Sequence, residues 1–397
     1  MVPRLVFLLS VIILTAIGCV MIYSSSIAQA VEAETTALSY LTDQLLFVVV
    51  GAVAAFVVWK WLPCQIWRGP FLWIIWLVAV ALLLLVALMG LVGLGAKRWL
   101  SLGPISLQPS EFAKIVFILM AARLFCEYRE GSSTVAQMLV KAFLFIGIPV
   151  AFLYVTQSDL GTTVIIAVGV LAVMWLGEVP LRFIAGILLL GAIFVVFAIV
   201  GTGYRSDRML FLNPWNDGEG GQAGGFQLIH SYYAFSQGGL FGVGLGNSRE
   251  KFYLPEAETD FIFAIIGEEL GVVGALVVVA LFIALLYSGM RIANAASTAF
   301  GTMVAGSCTI MLVFQAFLNI GCVVGLLPTT GKPLPFISSG GSSLIATFIM
   351  VGLILSVSKE AGGPSIYEQR RANLRVVRAA DPDEPSRAAK PGLLGRR

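Results

Sequence analysis

The chain has 397 residues, of which 58% are hydrophobic and only 12% are charged, and its mean hydropathy is +0.93. A soluble domain carries roughly 25% charged residues, so this composition excludes a soluble globular protein. The apolar residues fall in long runs, and a run of about 20 crosses the hydrocarbon as a helix that satisfies its own backbone polar groups. The composition therefore predicts an all-α, polytopic integral membrane protein.

The apolar runs predict ten membrane-spanning helices. We place them at residues 5–26, 43–61, 71–95, 110–126, 141–157, 160–177, 182–203, 260–290, 297–327 and 341–358. The first run lacks a small-residue cleavage site, so we expect a retained helix and not a signal peptide. Residues 1–358 then form one transmembrane domain, with a large loop at about 204–259 between the seventh and eighth spans.

The distribution of Lys and Arg predicts the orientation. An even number of spans puts both termini on one side, and Lys and Arg mark the cytoplasmic side. The first loop, residues 27–42, has neither residue, whereas residues 359–397 are basic. We therefore expect both termini in the cytoplasm, the loop at 204–259 outside, and a disordered tail over 359–397.

The spacing of the cysteines and the single histidine do not indicate a metal site. The five cysteines occur singly, without the spacing of a zinc site or a disulfide framework. His230 is the one histidine, and we expect it to have a structural role.

The large loop ends in an acid-rich stretch at Asp260, the head of the eighth span. Long loops of this kind are usually functional, so we expect the chemistry on the outer face. Asp260 could instead be an N-cap or a first-turn acid, because carboxylates favour the positive end of a helix. Desolvation raises and the helix dipole lowers a carboxylate pKa, so the sequence does not predict the protonation state of Asp260.

Two more acids, Glu268 and Glu269, follow in the same predicted helix. At 100° per residue, Glu268 lies about 80° from Asp260 and Glu269 lies opposite to it. Neither forms a paired-carboxylate site with Asp260. Acids inside a membrane are often functional, but we favour hydrogen bonds between helices for both.

Polar groups also mark the starts of three other spans. Glu111 and Lys114 are three residues apart on one helix face, so they either neutralise each other or leave Lys114 to bind a phosphate. Asp159 has the position of an N-cap for the sixth span. The small residues at 340–343 either permit close helix packing or leave backbone N–H groups free to bind an anion.

Four motifs, in this order, resemble the SEDS (shape, elongation, division and sporulation) family. They are Arg98-Trp99-Leu100 with Gln108-Pro109-Ser110-Glu111-Phe112-Ala113-Lys114, then Gln157-Ser158-Asp159-Leu160-Gly161-Thr162, then Leu254-Pro255-Glu256 with Thr259-Asp260-Phe261-Ile262-Phe263, and last Gly325-Leu326-Leu327-Pro328 with Pro333-Leu334-Pro335-Phe336-Ile337-Ser338-Ser339-Gly340-Gly341-Ser342-Ser343. They extend from the third predicted span to the tenth. The stretches at 255–260 and 330–333 are more similar to the cell-division branch than to the elongation branch. Two positions depart from the family pattern, which usually has Pro at Ser158 and often Tyr at Ser339.

The resemblance implies a peptidoglycan glycosyltransferase that polymerises lipid II on the outer face and releases undecaprenyl pyrophosphate. It places the catalytic aspartate at Asp260. The candidate substrate-binding residues are Arg98, Glu111, Lys114, Asp159, Arg205, Arg208, Gln227, Lys332 and Ser342. Asp260 could be the base for the acceptor hydroxyl, and Arg205, Arg208 and Lys332 could meet phosphate oxygens.

The family also implies cofactors and partners. A divalent cation, Mg²⁺ or Mn²⁺, is compatible with a pyrophosphate leaving group and would bind through Asp260 and the substrate. A class B penicillin-binding protein, which is a transpeptidase, and other division proteins are the expected partners, and no nucleic acid is expected. The expected location is the bacterial plasma membrane at the division septum.

Three other functions remain open from sequence. A transporter could flip lipid II through Glu111, Lys114 and Glu268, although most polar residues concentrate at the outer surface. A division scaffold without catalysis would not need Asp260. Another polyprenyl-linked sugar transferase, such as an O-antigen ligase, lacks the paired motifs at 259–263 and 339–343.

Overall fold

The computed structural model describes residues 2–93, 96–102, 105–200 and 211–360. Thirteen α-helices are assigned in this part of the chain. They are α1 (Val2–Ser25), α2 (Ile27–Glu32), α3 (Ala37–Trp61), α4 (Phe71–Met89), α5 (Pro109–Arg129), α6 (Val135–Ala142), α7 (Ile148–Gln157), α8 (Leu160–Leu176), α9 (Leu181–Val200), α10 (Phe226–Gly238), α11 (Ile262–Asn294), α12 (Ala299–Val323) and α13 (Gly341–Glu360). Short 3₁₀ turns occur at Cys64–Arg68 and Glu250–Phe252, and a π turn, Phe143–Gly147, joins α6 to α7. The prediction of a polytopic helical protein is confirmed.

Each predicted span coincides with a helix or, at 141–157, with helices joined by the π turn. In seven places the helices are long and apolar enough to cross a membrane: α1, α3, α4, the continuous α6–α7, α11, α12 and α13. α8 and the stretch Leu181–Gly191 of α9 are shorter apolar segments, and α5 carries five charged residues. The total of ten spans and the cytoplasmic termini stay predictions.

α12 and α13 form the centre of the bundle. In the most apolar window of α12, 83% of the residues are buried, and the value for α13 is 78%, against 22% for α3, α4 and α11. α5 is also buried along most of its length. The outer helices leave apolar side chains exposed, as lipid-facing helices do, so they separate the polar groups of the centre from the lipid.

A small β-sheet lies between α4 and α5, where the sequence predicted only a helix and a loop. Its strands are β1 (Leu91–Gly93), β2 (Ala96–Leu102) and β3 (Ile105–Leu107), in the order β1-β2-β3 with antiparallel pairing. The predicted third span, 71–95, is therefore too long. The helix ends at Met89 because Gly90 adopts an extended conformation that starts β1.

The predicted outer loop is more ordered than its composition indicated. It contains α10, which packs along the first half of α11. Residues 201–210, with the candidate residues Arg205 and Arg208, lie outside the described residues, as does the tail from 361 to 397.

α11 is broken at Gly271, where φ is 68° and ψ is −170°. The segment after α10 supplies hydrogen bonds at the break. The N–H groups of Val243 and Gly244 donate to the carbonyl oxygens of Glu268 and Glu269, at 3.0 and 3.1 Å. The N–H of Val272 donates to the Gly239 carbonyl at 3.0 Å. The interrupted helix therefore keeps its backbone polar groups satisfied, as burial requires.

Candidate active site

A cavity of about 180 Å³ lies at one end of the bundle, which we call the cavity end. Its walls come from β2, the N-terminus of α5, the stretch before α11, the connection between α12 and α13, and the start of α13. The lining residues are Arg98, Trp99, Gln108, Glu256, Thr259, Asp260, Gly331, Lys332, Pro333, Ser339, Gly340 and Ser343. Residues from three of the four family motifs thus line one cavity. The remaining motif, at 157–162, is connected to it because its Asp159 pairs with the cavity residue Lys332.

Asp260 lies just before α11 and does not cap it. The N-cap residue is Phe261, and no side-chain hydrogen bond closes that helix start. The interpretation of Asp260 as a cap is therefore wrong. Within the described part of the chain, no hydrogen bond or ion pair engages its carboxylate, which faces the cavity. Gly331 lies opposite, where an added Cβ would be 3.3 Å from Asp260 Oδ2.

The side chain of Asn319, in α12, holds two walls of the cavity together. Its amide nitrogen donates to the carbonyl oxygen of Asp260 and to that of Lys332, both at 2.8 Å. A further bond joins the hydroxyl of Ser338 to the carbonyl of Thr259. The backbone on either side of Asp260 is therefore fixed to the connection between α12 and α13.

The surroundings raise the pKa of Asp260 from its ordinary value of 3.8 to about 6. The main cause is desolvation, which disfavours the charged form, and the nearby carboxylate of Glu256 acts in the same direction. Lys332 and Arg98 oppose the shift and lower the pKa. A carboxyl group with a pKa near 6 can exchange a proton close to neutral pH, which is the requirement for a general acid or base.

Lys332 is paired with Asp159. The distance from Lys332 Nζ to Asp159 Oδ2 is 2.7 Å, and both side chains are buried. Asp159 also caps α8, since it accepts the Thr162 N–H at 3.0 Å, which confirms the predicted cap. Gly161 leaves room for the lysine stem, because a Cβ there would lie 2.7 Å from Lys332 Cγ. Lys332 therefore lines the cavity as a cation that is already partly neutralised.

Arg98 ties the sheet to the turn between α7 and α8. Its Nε donates to the carbonyl of Gln157 and its Nη2 to the carbonyl of Ser158, each at 3.0 Å. Ser158 has a φ of 49°, which proline cannot adopt. The departure from the family pattern at this position therefore goes with a left-handed turn that presents its carbonyl to Arg98.

Glu111 and Lys114 form a buried pair behind the cavity. Lys114 Nζ contacts Glu111 Oε2 at 2.7 Å and Gln315 Oε1 at 2.8 Å, and the lysine is fully buried. Gln315 in turn donates to the Pro333 carbonyl at 2.9 Å. The geometry favours mutual neutralisation, since neither Glu111 nor Lys114 lines the cavity.

Two other candidate positions have different outcomes, and one residue that was not a candidate lines the cavity. Ser342 supports the cavity wall, because its hydroxyl accepts the N–H of Gln108 at 3.0 Å. Gln227 lies in the first turn of α10 and does not line the cavity. Glu256 does line it, although sequence reasoning gave this residue no role. Its distance of four residues from Asp260, in a motif rich in acids, was the available signal.

Glu268 and Glu269, the two acids inside α11, do not line the cavity and make hydrogen bonds elsewhere. Glu269 accepts the Ser24 hydroxyl of α1 at 2.6 Å, which confirms the expected bond between helices, and lies 3.5 Å from Lys251 Nζ. Glu268 instead accepts the N–H of Arg249 at 2.8 Å. His230 is 2.5 Å from Glu250 in the neighbouring loop. Over the residues that the structure describes, no group of three or more His, Cys, Asp or Glu could hold a metal ion.

Fold and site together define a multi-pass helical membrane protein with two acids and two cations in a cavity at one end of the bundle. The family model FTSW_RODA_SPOVE, described as cell cycle protein, matches residues 4–362, and the chain belongs to this family. Membership confirms the resemblance to the SEDS family.

Relatives and solved structures agree with this assignment. The chain is 38% identical over 363 residues to the probable peptidoglycan glycosyltransferase FtsW of Trichlorobacter lovleyi, and the match covers 89% of this chain and 92% of the relative. A chain from a structure described as structural coordination of polymerization and crosslinking by a peptidoglycan synthase complex superposes with a TM-score of 0.70 at 25% identity. Thermus thermophilus rod shape determining protein RodA gives 0.67 at 26% identity. Both structural matches cover 90% of this chain and 97% of the other.

Proposed function

We propose that this chain is a peptidoglycan glycosyltransferase that polymerises lipid II into glycan strands during cell division and releases undecaprenyl pyrophosphate. The observation that carries the proposal is the unpaired carboxylate of Asp260 in one cavity with Lys332 and Arg98. Glycosyl transfer to a hydroxyl group needs a proton acceptor and cationic stabilisation of the leaving pyrophosphate. The relatives named as peptidoglycan glycosyltransferases support the same reaction class.

The proposed reaction assigns one role to each group. The hydroxyl oxygen of the acceptor sugar forms a bond to the anomeric carbon of the donor, and the bond from that carbon to the pyrophosphate oxygen breaks. Asp260 takes up the hydroxyl proton, and the electron pair of the broken bond leaves with the pyrophosphate. Lys332 and Arg98 stabilise the charge that develops there. Ligand pockets usually measure about 300–1,000 Å³, so a cavity of about 180 Å³ would hold only the reacting groups.

A divalent cation is a further part of the proposal. Asp260 and Glu256 line the same cavity and are the carboxylates that would bind it, together with phosphate oxygens of the substrate. When bound, the ion would neutralise negative charge on the pyrophosphate. Arg205 and Arg208 stay proposed phosphate contacts, since they lie outside the described residues.

We also propose a class B penicillin-binding protein as partner, in the plasma membrane at the division septum and with other division proteins nearby. The structurally similar peptidoglycan synthase complex, in which polymerization and crosslinking are coordinated, supports a partner of this class. The relatives named FtsW support the division role.

The test is lipid II polymerisation by the purified protein, with and without its partner, for wild type and Asp260→Asn. Asparagine keeps the size of the side chain but removes the proton acceptor and the negative charge. General base catalysis contributes about 10²–10⁴-fold in rate. We expect Asp260→Asn to lose at least a hundredfold in polymerisation while its abundance and its binding to the partner stay as in wild type.

Glu258→Gln is the matched control, because Glu258 is in the same motif but does not line the cavity. Its rate should stay close to wild type. Polymerisation by Asp260→Asn within about tenfold of wild type would move the catalytic role elsewhere. If wild type makes no glycan but flips fluorescent lipid II across liposome membranes, the transporter function is correct. If it does neither, the scaffold function and the transfer of another polyprenyl-linked sugar remain.

A further inference from the structure

Residues 238–246 form a loop that turns back along α11, which we call the hairpin although it contains no strands. Its tip is apolar and points away from the rest of the protein. Leu240, Phe241 and Leu245 are 65%, 80% and 55% exposed. The other face of the hairpin is glycine-rich and packs on α11, where a Cβ on Gly242 would lie 2.1 Å from the carbonyl oxygen of Glu269. The tip is thus held at a fixed height along α11, and that height can be compared with the bilayer.

The exposure pattern of α11 locates the edge of the hydrocarbon. From Ile262 to Glu269 every residue is buried, and exposed apolar side chains begin at Val272 (47%) and Val273 (46%). The stretch from Val272 to Met290, just before Arg291, is about 28 Å long at 1.5 Å per residue. That length matches the hydrocarbon thickness of about 30 Å. The hydrocarbon edge at the cavity end therefore lies near the break at Gly271.

A second helix gives the same height independently. The exposed apolar side chains of α1 continue to Val20 and end at Tyr23, an aromatic residue of the kind that lies at membrane interfaces. The next residue, Ser24, bonds to Glu269 at 2.6 Å. Both helices thus place the hydrocarbon edge at the height of residues 269–272 of α11.

The hairpin lies at this height. The Val273 N–H donates to the Leu240 carbonyl at 3.1 Å, and the Gly244 N–H donates to the Glu269 carbonyl at the same distance. Non-helical backbone is tolerated beside hydrocarbon only where its polar groups are satisfied, and these bonds to the broken helix meet that condition. Arg249 is exposed and is fixed at the same height, because its N–H donates to Glu268.

We propose that this hairpin is a membrane-interface anchor, which inserts Leu240, Phe241 and Leu245 among the acyl chains while Arg249 meets lipid phosphate. The combination of an apolar tip with a neighbouring basic residue is typical of interfacial anchors. The proposal does not depend on the catalytic assignment. The anchor holds the segment that leads from Arg249 to Asp260 at a set distance from the lipid.

The test measures which quencher reaches a fluorophore on the tip. A single cysteine replaces Phe241, is labelled with an environment-sensitive dye, and is studied in phospholipid vesicles that contain anionic lipid. The unsubstituted protein gives the labelling background from its native cysteines. We expect strong quenching by a lipid with a nitroxide near the top of its acyl chain, and at least severalfold weaker quenching by aqueous iodide than at an exposed control.

Leu326→Cys is that control. Leu326 is 74% exposed, but it lies beyond Asn319, whose side chain contacts Asp260, so it lies well above the hydrocarbon edge. Iodide should quench it strongly and the lipid nitroxide weakly. Leu245→Cys should repeat the result for Phe241→Cys. If iodide reaches both tip positions as readily as Leu326→Cys, the tip is in water and the proposal is wrong.

Discussion

Asp260 lines the cavity, and among the described residues its carboxylate has no hydrogen bond or ion pair, whereas three buried acids each pair with a lysine. Glu111 has Lys114, Asp159 has Lys332, and Glu269 has Lys251. An acid that is enclosed without a partner is costly for the fold, and such groups concentrate at functional sites. The side-chain environment therefore supports the same residue that the family motif indicated.

The raised pKa of Asp260 predicts how polymerisation depends on pH. If the carboxylate is the base, the rate should fall as pH drops through about 6, where the group becomes protonated. Glu256→Gln removes a negative charge that raises this pKa, so the midpoint should move to lower pH while the rate at high pH stays within about tenfold of wild type. Rate profiles of both proteins between weakly acidic and neutral pH would measure this. An unchanged midpoint in Glu256→Gln would contradict the assigned charge interaction.

The same shift has a consequence for stability. The folded state binds the Asp260 proton more tightly than the unfolded state, because the folded pKa is raised. This group therefore contributes most to stability below the unfolded pKa, and its contribution is lost as pH rises through the folded value. The charged form that the proposed base requires at neutral pH is therefore the form that destabilises the fold.

The buried pair predicts the effect of Lys114→Ala. Removal of the lysine leaves Glu111 enclosed without its partner, and breaking a buried pair costs about 3–5 kcal/mol. We expect lower abundance and a lower Tm in detergent, not merely lower activity. The double change of Glu111→Ala with Lys114→Ala should recover both abundance and polymerisation. If the double variant is as abundant as wild type but makes no glycan, Lys114 contacts the substrate instead.

At the scale of elements, hydrophobic runs were enough to locate the apolar helices but not what lies between them. A run of about 20 apolar residues has one solution in a membrane. The strands β1–β3 are three to seven residues long, and their pairing with one another is not visible in local hydropathy. α10 was missed because its apolar and polar residues mix. β2 supplies Arg98, and α10 leads into the hairpin. The motifs therefore indicated most residues of the candidate site but not the elements that bring them together.

The break in α11 predicts that alanine at Gly271 lowers stability much more than alanine at a glycine with free space around it. Gly271→Ala forces a side chain onto a backbone conformation that essentially only glycine adopts, and its Cβ would lie 2.4 Å from the Gly242 nitrogen. We expect a loss of about 3 kcal/mol or more in unfolding free energy. Gly186→Ala in α9 is the control, since nothing lies within 4 Å of its added Cβ. A Tm for Gly271→Ala equal to that of Gly186→Ala would show that α11 can straighten without cost.

At the scale of the whole molecule, the orientation in the membrane is a prediction from charge. Single cysteines in residues 211–225 should react with a membrane-impermeant maleimide in intact cells, whereas cysteines in the tail should react only after permeabilisation. Cysteines at 27–42 should behave like those in the large loop. Reaction of the tail in intact cells would reverse the topology and put the cavity in the cytoplasm.

The two hydrogen bonds from Asn319 have a consequence for when the site is assembled. Because one nitrogen holds the Asp260 and Lys332 carbonyl oxygens at 2.8 Å each, those two oxygens lie within about 5.6 Å of one another. The backbone of the proposed base and that of the proposed phosphate contact therefore keep one spacing before any substrate enters. Under the proposed mechanism this part of the site needs no assembly when the donor binds, because its backbone is already ordered in the folded protein.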